Sequence, residues 1–169
     1  MMRKLSSGTL RRHKGVSFVG VTTPFVCYDE KGRVFMAKRS KNARDEQGCW
    51  DFGSGGLKVG QPIEDNMRRE LLEEYGVKPL KVTFIGHFDL FRTLPDGTPT
   101  HWVGIAHAVL VDPRKVKIME PDMFDDSGWF TLDTLPSPLH SGIEPIYLTK
   151  FHDRFREIIT GSPTKPERP

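Results

Sequence analysis

Glu70, Glu73 and Glu74 stand at i, i+3 and i+4 in the segment PIEDNMRRELLEEYGV. On a helix each residue advances by about 100°, so the three carboxylates share an arc of roughly 100°. Carboxylates spaced this way repel by about 0.2–0.5 kcal/mol per pair even when exposed. Glu74 also falls near the helix C-terminus, where the macrodipole disfavours negative charge. A divalent cation resolves the conflict. The ligands are all oxygens, with no histidine or thiolate nearby in sequence, so the ion is a hard one, Mg²⁺ or Mn²⁺. Bound there, such an ion neutralises charge developing on a diphosphate and helps to activate a water. A solvated surface helix can be equally rich in glutamate. The punctuation around this helix decides for the metal.

That punctuation belongs to the elements that must hold the carboxylates. Gly53, Ser54, Gly55, Gly56 and Gly60 form a permissive loop before the helix, where backbone can bend sharply or approach something closely. Pro62 fits the first helical position. Ile63, Met67, Leu71 and Tyr75 make one apolar stripe, flanked by the carboxylates. Gly76 supplies the C-terminal stop. Upstream, Val16 to Tyr28 reads as a strand, turned at Asp29-Glu30-Lys31-Gly32 into a second strand from Arg33 to Lys38. Cys49 to Phe52 is a short third strand. Downstream, Leu80–Leu94 and Thr98–Val111 read as long strands joined at Pro95-Asp96-Gly97. Ser127–Leu132 is another short strand, and Ile143–Ile159 carries helical spacing. This order predicts a mixed sheet with helices on its faces, an α/β (α+β) sandwich.

The segment Gly55–Val77 resembles the Nudix box, GX5EX7REUXEEXGU, in which U is a bulky aliphatic residue. Gly55, Arg69, Glu70, Leu71, Glu73, Glu74, Gly76 and Val77 fall in register, and Trp50-Asp51-Phe52-Gly53 is similar to the family's W-x-F-P lead-in. The resemblance implies a Nudix α/β/α sandwich with a mixed central sheet. It implies Glu70, Glu73 and Glu74 as principal metal ligands, with Gly55 as a further ligand and Arg69 among the catalytic residues. One box position departs. Gln61 stands where a glutamate is expected; it can still accept from Arg69 but brings no charge, which predicts a weakened metal site. A further acid, as base or ligand, is expected from the loop EPDMFDDSGWF, and Glu120 is chosen over Asp122, Asp125 and Asp126 by its place before Trp129.

The chemistry implied is attack of water on a phosphorus of a nucleoside diphosphate derivative, by positioning and charge neutralisation. The favoured substrate is a nucleoside triphosphate, cleaved to monophosphate and pyrophosphate. ADP-ribose, nucleotide sugars and a nucleotide-binding domain without catalysis are the alternatives. Arg39 is the candidate phosphate contact, and Phe88 and His101 are candidates for the nucleoside, alongside Phe91 and Trp102. Cys27 and Cys49 read as small packing residues.

The chain has 169 residues, of which 37% are hydrophobic and 28% charged, with a net charge of +3. These values describe one globular domain. Three spans are expected: a flexible basic arm over 1–15, the Nudix-like hydrolase domain over 16–159 and a disordered tail over 160–169. No apolar run reaches the ~18–20 residues of a membrane span, and two cysteines make no disulfide framework. A small nucleotide is the expected partner, in a cytoplasmic setting. Nucleic acid is disfavoured, although Arg3, Lys4, Arg11, Arg12 and Lys14 leave RNA-end processing as a third reading. The oligomeric state stays open, a homodimer included.

Overall fold

The computed structural model describes residues 13–94 and 96–161. Arg3, Lys4, Arg11 and Arg12 of the basic arm, Pro95 of the hairpin turn and the tail from residue 162 lie outside them. Seven strands form one mixed sheet: β1 (Gly20–Thr22), β2 (Phe25–Tyr28), β3 (Arg33–Arg39), β4 (Trp50–Asp51), β5 (Lys81–Thr93), β6 (Pro99–Leu110) and β7 (Phe124–Thr131). The long strand β6 is its spine, antiparallel to β5 and parallel to β1 and β2. On the other side β3 runs antiparallel to β2, β4 and β7.

The period of two in these strands sorts their side chains into two cores. Phe25, Cys27, Phe35 and Ala37 pack with Met67, Leu71 and Tyr75 of helix α1 (Ile63–Tyr75). Val26, Val34 and Met36 face the opposite way, toward Ile143, Ile146, Tyr147 and Phe155. Helical layers therefore cover both faces of a mixed sheet, the expected α/β/α sandwich. The stripe on α1 is buried at Met67, Leu71 and Tyr75, while Ile63 stays 39% exposed. Gly76 ends the helix at φ 62, its N–H donating to Leu72 O at 3.0 Å.

The structure departs from the sequence expectations at four places. Val16–Tyr28 is not one strand, because Thr23 and Pro24 separate β1 from β2. Pro24 has no N–H for a ladder, and the Thr23 N–H turns instead to Gly55 O at 2.9 Å. Pro62 caps α1 with an extended ψ of 149 and so precedes the first helical turn. Strand β7 begins at Phe124 through pairing with Arg39, which takes Asp125 and Asp126 out of the acidic loop and into the sheet. Finally, Ile143–Ile159 is broken into a π-helical segment (Glu144–Lys150) and α2 (His152–Thr160). The wider turn, with Phe151 N–H donating to Ile146 O at 2.9 Å, leaves Ile146, Tyr147, Phe155 and Ile159 in one core.

Candidate active site

The loop between β4 and α1 is pinned to the sheet along its length. Phe25 N–H donates to Gly53 O at 2.8 Å, and Leu57 N–H to Val21 O at 2.9 Å. Buried Asn66, from the first turn of α1, donates to Thr23 Oγ1 at 2.8 Å and accepts Lys58 N–H at 3.3 Å. Gly55 allows one close approach. A Cβ there would lie 1.9 Å from Glu70 Cδ and 2.1 Å from Cγ, so the Glu70 stem fills the space over the glycine. The Gly55 carbonyl points away, accepting from Thr23 N–H at 2.9 Å, Thr22 Oγ1 at 3.1 Å and Thr23 Oγ1 at 3.3 Å. The carbonyl of Gly55, expected as a metal ligand, thus already accepts hydrogen bonds from the sheet edge.

Arg69 organises two of the three carboxylates. It pairs with Glu70 at 2.5 Å and with Glu73, and donates to Asn66 Oδ1 at 2.9 Å. Glu74 is different. Its Oε2 is sheltered from solvent and has no hydrogen-bond partner. Burial pushes its carboxyl well above the ordinary range, and the charges of Glu70, Glu120 and Asp51 push it the same way, against one stabilising bond from Ser54 N–H. Glu120 is brought alongside because Met119 N–H donates to Glu74 O at 2.8 Å and Lys117 N–H to Tyr75 O at 3.0 Å. As they stand, no three His, Cys, Asp or Glu side chains are gathered to hold an ion among the described residues. Two of the three expected ligands lean on Arg69. An orphaned carboxylate oxygen facing further acids nevertheless fits a divalent cation, since an unpaired buried charge is otherwise costly.

Gln61 meets Arg69 only at 3.4 Å, through its Oε1. Gln61→Glu is expected to draw Arg69 toward residue 61 and free Glu70 and Glu73. The Mg²⁺ concentration giving half-maximal rate should then fall about two- to fivefold, the scale of one exposed ion pair. An unchanged magnesium titration would remove residue 61 from the metal argument.

Beside the loop opens a cavity of about 210 Å³, walled by Gly53–Gly56, Phe52, Trp102 and Tyr147 and floored by charge. Arg39 lines it, held by Asp45 at 2.7 Å and Asp51 at 3.3 Å. Phe88 lines it too, as a core residue only 4% exposed, with its ring 6.4 Å from Tyr147. His101 is not part of the lining. It bonds Asp89 at 3.0 Å and lies against exposed Phe91, ring centroids 4.5 Å apart. Asp51 and His140 were not singled out by sequence. Burial raises the Asp51 carboxyl, opposed by the charges of His140 and Arg39. His140 accepts Gly142 N–H on Nδ1 at 3.1 Å and sets Nε2 3.8 Å from Asp51 Oδ2. No local pattern links residues so far apart along the chain.

The profile of the NUDIX domain matches residues 19–149. An RNA pyrophosphohydrolase of Bartonella bacilliformis is 26% identical, over 89% of this chain and 95% of its own length. A MutT NUDIX hydrolase from Burkholderia pseudomallei superposes with a TM-score of 0.65 at 28% identity, covering 74% of this chain and 92% of that one. The NUDIX domain of Shewanella oneidensis NrtR, crystallised with ADP ribose, superposes at 0.60 with 16% identity, covering 87% and 96%.

Proposed function

The chain belongs to the Nudix hydrolases, enzymes that cleave diphosphate linkages with divalent metal, and on that premise we propose that it is a Mg²⁺-dependent enzyme converting a nucleoside triphosphate to monophosphate and pyrophosphate. The observation that carries the reading is the sheltered, unpartnered Glu74 oxygen facing Glu70 and Glu120, beside a cavity of about 210 Å³. That volume lies below the ~300–1,000 Å³ of sites that enclose a drug-sized ligand. It suits one base, with the sugar and nearest phosphate at its mouth and the remaining phosphates outside near α1. Glu70, Glu73 and Glu74 would hold the ion, which when bound supplies charge neutralisation at the diphosphate and a more acidic water.

In the step itself, the water oxygen bonds to phosphorus, the bridging P–O bond breaks and pyrophosphate leaves. Glu120 is the acceptor for the water proton in this reading. Arg69 keeps Glu70 and Glu73 apart until the ion arrives, and Arg39 faces the cavity as a phosphate or sugar contact. Two cysteines without a disulfide among the described residues support a reducing, cytoplasmic setting, and no described helix is long and apolar enough to cross a membrane.

A panel of nucleoside triphosphates, ADP-ribose, nucleotide sugars and dinucleoside polyphosphates, each with Mg²⁺ and with Mn²⁺, tests this directly. Monophosphate plus pyrophosphate from at least one triphosphate is expected. Turnover confined to ADP-ribose or to nucleotide sugars would overturn the substrate assignment. A 5′-triphosphorylated RNA belongs in the same panel, because the Bartonella relative is an RNA pyrophosphohydrolase.

A further inference from the structure

Lys14 lies outside the span that the family profile matches, 19–149, and yet it reaches the heart of the box. Its backbone belongs to a turn closed by Gly15 N–H to Phe18 O at 2.8 Å and Val16 N–H to His13 O at 3.0 Å. That turn is fastened to the cavity wall. His101 N–H donates to Gly15 O at 2.8 Å, and Gly15, at φ 78, lies so close to the Trp102 indole that a Cβ would sit 2.2 Å from Nε1. Residues 13–15, expected as the end of a loose arm, are thus a fixed part of the site's surround.

From this anchor the Lys14 side chain runs to the box loop. Its Nζ donates to Leu57 O at 2.5 Å and would stand 3.0 Å from a Cβ on Gly56, a residue of the cavity wall. The ammonium is half-buried, and burial pulls its pKa below the ordinary lysine range, partly offset by the charge of Glu70. Glu70 itself is committed to Arg69. An ammonium carries three donors, and among the described residues Lys14 has one bonded acceptor, Leu57 O. The ammonium thus stands beside Gly56 of the cavity wall and within electrostatic reach of Glu70 on the helix that would hold the metal. A diphosphate bridging the two must cross that interval.

We propose that Lys14 is a phosphate-binding residue, contributed by the segment before the matched domain, which receives the phosphate next to the scissile linkage. The proposal rests on the nucleotide-hydrolase reading above. It makes the box loop two-sided, with carboxylates on one flank supplying the metal seat and an ammonium on the other meeting the substrate's own charge. A charge-assisted hydrogen bond from an ammonium to phosphate is among the stronger polar contacts.

The test compares wild type, Lys14→Met and Lys14→Arg, full-length, on the best triphosphate from the panel. Lys14→Met should raise KM about tenfold or more with kcat changed far less, and Lys14→Arg should restore most of the loss. Calorimetric binding of a methylene-bridged, non-hydrolysable triphosphate should weaken in parallel, with and without Mg²⁺. If Lys14 only braces the loop, Lys14→Met will lower Tm and kcat while KM and analogue binding stay at wild-type values, and the proposal fails. If wild type hydrolyses no nucleotide yet binds the analogue through Lys14, the hydrolase reading fails and the phosphate site stands. Equal analogue binding by wild type and Lys14→Met overturns the site itself.

Discussion

Glu74→Gln should all but abolish hydrolysis and leave a protein at least as stable as wild type in metal-free buffer. In the folded chain the Glu74 Oε2 is sheltered without a partner, and burial and the neighbouring acids disfavour its charge. A group whose folded pKa is raised subtracts stability as pH rises past its unfolded value, so by neutral pH this carboxyl has become a burden on the fold. Glutamine keeps the shape and drops the charge. In the proposed reading the same change would take a ligand from a divalent ion whose charge supplies several kcal/mol of transition-state stabilisation, so kcat/KM should drop on the order of 10³-fold. Calorimetric melting with and without Mg²⁺, beside steady-state rates, checks both halves. Wild type should gain Tm on adding Mg²⁺ and the variant should not. A variant that melts lower than wild type without metal, or that retains the magnesium shift, would contradict this account of Glu74.

Gly55→Ala should produce the complementary failure, a folded enzyme with its first carboxylate displaced. The new methyl would occupy the space of Glu70 Cδ and Cγ, at 1.9 and 2.1 Å. The side chain can swing aside, so the fold survives, but Glu70 then leaves both Arg69 and its place beside Glu74. A catalytic group moved by about 1 Å can cost ~10²-fold in rate, and a loss of that size in kcat is expected with Tm within a few degrees of wild type. Gly53→Ala is the contrast, since its Cβ would lie 2.1 Å from the fully buried Phe25 ring and would act on stability through overpacking. If Gly55→Ala kept full activity, Glu70 would not depend on that glycine for its position.

Much of this was legible along the chain because it is local. The stripe Met67, Leu71, Tyr75 and the Gly76 stop specify α1 within a few turns, and the Asp29–Gly32 turn specifies the β2–β3 hairpin through Asp29 Oδ1 accepting Lys31 and Arg33 N–H, both at 3.0 Å. The spacing of Glu70, Glu73 and Glu74 also announced their shared arc. It could not tell one from another. Only packing against the sheet and the 117–120 segment shelters Glu74 while the Glu73 side chain stays 49% exposed. The direction of the Gly55 carbonyl depends on Thr22 and Thr23 across the sheet edge, and the meeting of Asp51 with His140 depends on the whole C-terminal path. The split of β1 from β2 needed knowledge of which strand they flank. His101 attracted notice by its type alone, and its geometry ties it to Asp89.

The break at Phe151 leaves the π-helical segment free to lay Ile146 and Tyr147 over the cavity, on the face of the sheet opposite α1. In the proposed reading, one wall of the base pocket therefore comes from this C-terminal stretch and the other from the box loop and Trp102. In that reading, drift at Ile143, Ile146 and Tyr147 would reshape the pocket without touching Glu70, Glu73 or Glu74, so part of the substrate choice can be re-addressed from the C-terminal helical layer.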